Sequence, residues 1–251
     1  GTPSVVGPQA DEALSVVSDF AQSVGAPLAR FGLEWTAQAG EDGGIRFESA
    51  AWSGALPAPN LRGRHQMLNT ATSVAAALVL RDQGFEIPDT ALREGLGRIE
   101  WPARLQTLTH GPIVDALPGW TVTLDGGHNA AAGAVLADEL ARWAAEDRRE
   151  GGSARPVHAI CGMMNSKAAV DFLRPFAPLI ASFQAVTIPG EENSFSATEL
   201  CAMAKEAGLP DPSTAGSALE AAERLAKHQQ GAHLLICGSL YLAGRLLVEN
   251  S

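Results

Sequence analysis

Two stretches hold residue types at a spacing that suits nucleotide chemistry. Trp101-Pro102-Ala103-Arg104-Leu105 sets an arginine just behind a proline-stiffened turn, and Leu124-Asp125-Gly126-Gly127-His128-Asn129 ends an apolar run in a Gly-Gly turn beside an acid, a histidine and an amide. The pattern predicts a strand stopping at Leu124 and a helix opening just after Asn129. Such junctions aim unpaired backbone N–H groups and the helix's positive end at one place, which suits phosphates and ribose hydroxyls. Arg104 would reach the same mouth and grip phosphate through its planar fork. Each residue also has a plainer reading. Asp125 accepts from ribose hydroxyls or caps the turn before the helix. His128 faces a substrate or makes a helix-start contact, and Arg104 pairs with a surface acid. Asn69 lies inside the helical pattern Met67-Leu68-Asn69-Thr70-Ala71. A mid-helix amide costs propensity, so Asn69 either faces solvent or reads an amide-like edge such as adenine. His65 and His158 read as structural.

The familiar phosphate cradles are absent from the sequence. No Gly-x-Gly-x-x-Gly follows a strand, and no Gly-x-x-x-x-Gly-Lys-Ser/Thr occurs. Gly162-Met163-Met164-Asn165-Ser166-Lys167 stands at a strand–helix junction with the wrong spacing for a P-loop, and Gly238-Ser239 lacks the partner glycine of a nucleophile elbow.

The elements that must position these residues alternate along the chain. Strands are predicted at 4–6, 120–124, 157–161, 183–188 and 233–237, with an antiparallel hairpin region over 28–56. Helices are predicted over 10–24, with Leu14, Val17 and Ala21 on one face, and over 61–82, where the Ala-rich run implies close packing. Others cover 90–96, 130–145, 166–172, 217–227 and 240–247, and Ser196-x-x-Glu199 is a capping box for a helix to Ala207. Leu136, Leu140 and Trp143 form an apolar stripe. Gly111-Pro112 splits two short extended runs, and 146–155 reads as a solvated loop. The five tryptophans read as core. The boundary between two segments falls near 98–106, and the second half reads as a mostly parallel sheet covered on both faces.

Bulk properties narrow the classes. The 251 residues suffice for one large core or two modest ones, and a net charge of −10 argues against nucleic acid or an acidic membrane as partner. No stretch approaches the roughly 20 apolar residues of a membrane span. Cys161, Cys201 and Cys237 are widely spaced without a CxxC, so they indicate neither a disulfide framework nor a zinc site. A reduced, cytoplasmic protein is expected. No signal peptide is read at the start, and the opening Gly1-Thr2-Pro3, without Met, is expected to mark a fragment or processed product.

The chain resembles the C-terminal part of the folylpolyglutamate synthase/dihydrofolate synthase family, within the Mur ligase superfamily. The matching strings run in family order: Val5-Val6-Gly7-Pro8-Gln9, His65-Gln66-Met67-Leu68-Asn69-Thr70-Ala71, Trp101-Pro102-Ala103-Arg104-Leu105-Gln106, Leu124-Asp125-Gly126-Gly127-His128-Asn129, Gly162-Met163-Met164 and Gly238-Ser239-Leu240-Tyr241-Leu242. The resemblance implies an ATP-dependent ligase that joins L-glutamate to dihydropteroate or a folate through an acyl phosphate. It further implies that Asn69 contacts adenine, Arg104 the phosphates and Asp125 the ribose, with His128 at the same mouth. ATP and Mg²⁺ are the implied cofactors, and a monomer the implied state. The fold implied is a C-terminal Rossmann-like α/β domain over 101–251, preceded at 1–100 by the remnant of a central ATP-binding domain. The family usually has Gly at Ala103, Ala at Gly127 and Pro at Ala130. Its Lys-Asp after the Gly-Met turn is Lys167-Ala168 here, so no catalytic role passes to Lys167. The P-loop, magnesium ligands and most of the folate site of such ligases would lie before residue 1, so these residues alone are expected to be inactive. A Mur-type peptidoglycan ligase and a non-catalytic nucleotide- or ligand-binding module are the alternatives.

Overall fold

The computed structural model describes residues 1–40, 43–227 and 231–249. The chain forms two compact units, Gly1–Trp101 and Pro102–Ser251.

In the first unit, β1 (Ser4–Val6) leads into α1 (Asp11–Ser23), which returns to β2 (Leu28–Arg30). These two strands pair in parallel, Ser4 opposite Leu28. The hairpin region expected from residue 28 therefore begins later, with β3 (Trp35–Ala39), β4 (Ile45–Ser49) and β5 (Ser53–Leu56) in an antiparallel sheet. Glu41 and Asp42 of that hairpin lie outside the described residues. Helix α2 (His65–Asp82) starts a turn later than its pattern suggested, and α3 (Asp89–Leu96) closes the unit. Ala71, Val74, Ala75 and Leu78 of α2 pack with Trp35, Ile45 and Phe47 of the sheet and with Leu92 and Leu96. The small residues let the helix come close to the strands, as the Ala-rich run implied. Of the apolar face expected on α1, only Ala21 is buried; Val17 is 38% and Phe20 68% exposed.

The second unit holds β6 (Gln106–Leu108), α4 (Pro112–Ala116), β7 (Thr121–Leu124), α5 (Ala130–Arg149), β8 (Val157–Cys161), α6 (Ala169–Leu173), β9 (Ser182–Ala185), α7 (Ala197–Glu206), β10 (Pro212–Thr214), α8 (Ala218–Ala226), β11 (His233–Cys237) and α9 (Leu240–Glu249). Its six strands are ordered β10-β9-β8-β11-β7-β6, all parallel except β6, which runs antiparallel to β7. Every residue of β8 and β11 is buried, as the apolar runs of central parallel strands require. One face packs on α5, α6 and α7, the other on α4, α8 and α9. This is the α/β architecture expected, a mostly parallel sheet with helices on both faces.

Several elements differ from their sequence signals. Pro112 follows the turn residue Gly111 (φ +100°) and opens α4, because proline's fixed φ and missing N–H suit a helix's first turn. The helix expected over 166–172 is reduced to α6, with a 3₁₀ segment, Arg174–Leu179, taking over. Strand β9 ends at Ala185, short of 188, and β10 had no separate signal. Trp101 is 61% exposed and is not a core residue. The capping box forms as expected, Ser196 and Glu199 each accepting from the other's backbone N–H.

The largest correction concerns residues 146–155. Helix α5 continues to Arg149, and Asp147 is buried on it rather than solvated. Its carboxylate accepts from the Arg155 backbone and guanidinium at 2.8 and 3.0 Å, and meets His233 Nε2 at 3.2 Å. Burial pushes the Asp147 carboxyl up, but the Arg155 and His233 hydrogen bonds outweigh it and hold it at about 2. Burial, then the Arg155 charge, press the His233 imidazole below its ordinary value, and burial does the same to His158. His158 is structural, its Nδ1 bonded to Ser182 Oγ at 2.7 Å.

Candidate functional site

The β7–α5 junction is built from a strand that ends in a close backbone approach. Asp125 N still donates to Ile236 O at 2.9 Å, so the acid is fixed by the sheet's last rung. Its carboxylate is buried and reaches two ways: Oδ1 accepts from Gly127 N at 2.7 Å, and Oδ2 from Leu105 N at 2.9 Å. Asp125 is thus a turn cap, as its plainer reading held. His128 Nδ1 donates to Gly126 O at 2.8 Å, which leaves Nε2 as the acceptor nitrogen of the neutral ring. Asn129 Oδ1 caps α5 by accepting from Ala132 N at 2.9 Å.

Arg104 arrives on a loop of unusual shape. Ala103 and Leu105, on either side of it, take φ of +56° and +47°, the left-handed region that L-residues rarely enter. Ala103 O accepts from Gly126 N at 2.9 Å and from Arg104 Nη1 at 3.2 Å. A Cβ added to Gly126 would stand 3.2 Å from Arg104 Nη1, so the guanidinium lies against that glycine, between Asp125 and His128 in the chain. Arg104, Asp125 and His128 are therefore gathered at one mouth, beside the N-terminus of a 20-residue helix. The positive φ at Ala103 accounts for the glycine usual there in the family that the sequence resembles.

The β11–α9 junction joins the same mouth, and no site residue had been assigned to it. Gly238 N donates to Gly127 O at 3.0 Å, and a Cβ on Gly126 would meet Leu240 Cδ2 at 2.2 Å. Ser239 Oγ accepts from Tyr241 N at 3.0 Å at the start of α9. The glycine ending a buried strand was the available signal. Gln106 was also missed; its Oε1 accepts from Ala103 N at 2.9 Å.

Asn69 stands exposed on α2 in the first unit, its Nδ2 donating to Gln66 Oε1 at 3.1 Å. Lys167 is exposed in the β8–α6 loop. Cys161 and Cys237 face each other across β8 and β11 and are buried. A hydrogen bond with Cys161, together with burial, raises the Cys237 thiol well above its ordinary value. Among the described residues no group of three or more His, Cys, Asp or Glu could hold a metal ion, and no helix is long and apolar enough to cross a membrane.

No family model matches the chain. It is 28% identical over 165 residues to the dihydrofolate synthase/folylpolyglutamate synthase of Escherichia coli K12, covering 66% of this chain and 33% of that protein. With the protein of the same name from Bacillus subtilis 168 it shares 30% over 155 residues, covering 59% and 34%. Escherichia coli FolC in complex with DHPP and ADP superposes with a TM-score of 0.76 at 22% identity, covering 99% of this chain and 53% of that one. Mycobacterium tuberculosis folylpolyglutamate synthase complexed with ADP and AMPPCP gives 0.76 at 22%, covering 99% and 55%. A bifunctional folylpolyglutamate synthase/dihydrofolate synthase with Mn, AMPPNP and L-glutamate bound gives 0.73 at 22%, covering 99% and 53%. The chain thus spans about a third of the length of these curated relatives and about half that of the structures. The fold is that of these structures, and the chain is similar to dihydrofolate synthase/folylpolyglutamate synthase, as its motifs implied.

Proposed function

We propose that this chain supplies the ribose- and phosphate-gripping half of an ATP-dependent ligase that joins L-glutamate to dihydropteroate or a folate through an acyl phosphate. The observation that carries the reading is the delivery of Arg104 to the Asp125–His128 turn at the N-terminus of α5. The names of the curated relatives, and the ADP, AMPPCP and AMPPNP of the neighbouring structures, support it. Arg104 would stabilise charge as it builds on the phosphoryl oxygens, where a preorganised fork needs no reorganisation. Asp125 would accept from ribose hydroxyls, and the polar Nε2 of His128 would face the substrate. Asn69 would read adenine. The P-loop string is not in these 251 residues, nor is a cluster fit for Mg²⁺ among those described. The metal ligands would come from elsewhere in the complete ligase, which we take to be a cytoplasmic monomer. The 251 residues alone should release no phosphate from ATP with glutamate and dihydropteroate or tetrahydrofolate, since effective positioning is worth about 7–11 kcal/mol of such a barrier.

A titration tests the grip directly. ADP added to the ¹⁵N-labelled chain should shift the amides of residues 103–105 and 125–130, and Arg104→Ala should weaken binding about tenfold or more, the scale of a lost charge-assisted contact. Asp125→Ala should weaken it as well and also loosen Leu105, since the same carboxylate does both. A saturable ADP response that ignores both substitutions would sink the assignment.

A further inference from the structure

The loop that presents Arg104 is held from three sides, and one of the three holders has no place yet in the proposed site. Leu105 N donates to Asp125 Oδ2 and Ala103 O accepts from Gly126 N, both at 2.9 Å, so two bonds come from the Asp125 turn itself. The third comes from Gln106, whose Oε1 accepts from Ala103 N at 2.9 Å. Gln106 is the first residue of β6 and pairs with Leu124, the residue before Asp125, so its backbone is fixed by the sheet. Ala103 and Leu105 occupy left-handed backbone on both sides of Arg104, a shape that relaxes toward ordinary φ unless its surroundings impose it. Ala103 closes a four-residue loop whose other end is the side chain of Gln106. Releasing that bond unpairs the N–H of Ala103, the residue whose carbonyl accepts from Gly126 N and from the Arg104 guanidinium.

We propose that Gln106 is a positioning residue for Arg104: its side-chain oxygen fixes the Ala103 N–H and so holds the left-handed backbone that sets the guanidinium over Gly126, ready for phosphate. The proposal rests on the nucleotide reading above. It does not require Gln106 to touch the ligand. The requirement at this place is an acceptor oxygen that reaches Ala103 N across the loop from the start of β6.

Two substitutions separate this role from mere stability. Gln106→Met keeps the length of the side chain and loses the acceptor, whereas Gln106→Glu keeps an acceptor oxygen at the same reach. In the nucleotide-free chain, Gln106→Met should lose hydrogen-exchange protection at Ala103 N–H and move the Arg104 Nε–H resonance to the position of a mobile, exposed arginine. Its ADP affinity should fall about fivefold, the scale of one hydrogen bond. Gln106→Glu should retain the protection and the resonance, and bind ADP within about twofold of wild type. The thermal midpoint of Gln106→Glu should stay close to that of the wild type, and that of Gln106→Met should fall by only a few degrees, the scale of one buried N–H left unpaired. Wild-type protection, resonance and affinity in Gln106→Met would overturn the proposal. Loss of the loop signals with ADP affinity unchanged would overturn it too, provided Arg104→Ala still weakens binding. A wild-type chain that fails to bind ADP would instead overturn the nucleotide reading, and the positioning role with it; the exchange and resonance data would then show whether the loop clamp exists on its own.

Discussion

Helices α1 and α5 lie in different units and spend their apolar residues in opposite ways. On α5, Leu136, Leu140 and Trp143 are buried, and even the acids Glu139 and Asp147 are taken in and paired. On α1, Val16 and Phe20 are 65% and 68% exposed and Ala21 alone is buried. The sheets behind them differ in the same sense. Helix α5 covers a six-stranded sheet that has helices on its other face too, while α1 connects two short parallel strands. Parallel pairs need cover on both faces and more strands to stand alone. Equal hydrophobicity in a helix therefore says little about its contribution; what counts is the surface offered to it.

Excision should show this contrast at its largest. Residues 102–251 alone should unfold in one cooperative transition, while residues 1–101 alone should melt broadly and bind a hydrophobic dye; circular dichroism and dye fluorescence on the two pieces would decide it. A sharp transition in the first piece and none in the second would break the comparison. Next in size is Gly133→Ala on α5, where the added Cβ would meet the Phe172 carbonyl at 2.1 Å. It should cost about 3 kcal/mol or more in denaturant unfolding, because backbone must move. Phe20→Ser on α1 should cost less than about 0.5 kcal/mol, a polar swap at an exposed site.

The pH dependence gives a smaller, signed test. Asp147 is lowered from 3.8 to about 2, so its contribution is present above the ordinary value and is lost as pH falls through the native one, between about 4 and 2. His233 and His158 are lowered from 6.5, so the unfolded chain takes up their protons first and stability falls as pH drops below that value. Thermal midpoints should decline over both windows, and Arg155→Met should remove the lower step. In the first unit the shifted carboxyls, Glu34 and Asp89, are exposed partners of Arg30 and Arg81. Salt should screen those pairs and spare the Asp147 step. Ala103→Gly should change stability by no more than about 1 kcal/mol, since relief of the left-handed backbone offsets greater freedom in the unfolded chain. Ala103→Val should be clearly destabilising by comparison.

What could be read from the sequence was local. Strands β8 and β11, the Ser196 capping box and the α5 stripe each declare themselves within a few residues, through hydrophobic runs, caps and periodicity. Asp147 could not, because the polar run around it resembles a solvated loop; its partners are Arg155 and a histidine 86 residues later. The exposure of Trp101 was equally invisible, since residue type alone argued for burial. In the site, Asp125, His128 and Arg104 stood out by type and motif. That Arg104 meets Gly126 depends on the antiparallel pairing of β6 with β7, and the role of Gln106 depends on the positive φ at Ala103. Neither is written in composition or period.

The three cysteines all belong to the second unit, and all are buried. A thiol reagent can therefore label the protein only when that sheet or its helices open, so alkylation becomes a clock for one half of the molecule. Cys201 on α7 would mark departure of a helix from the face, whereas Cys161 and Cys237 would mark separation of the two central strands. Mass spectrometry of the labelled peptides would then read the order in which this unit comes apart, with no engineered probe and with the first unit silent throughout.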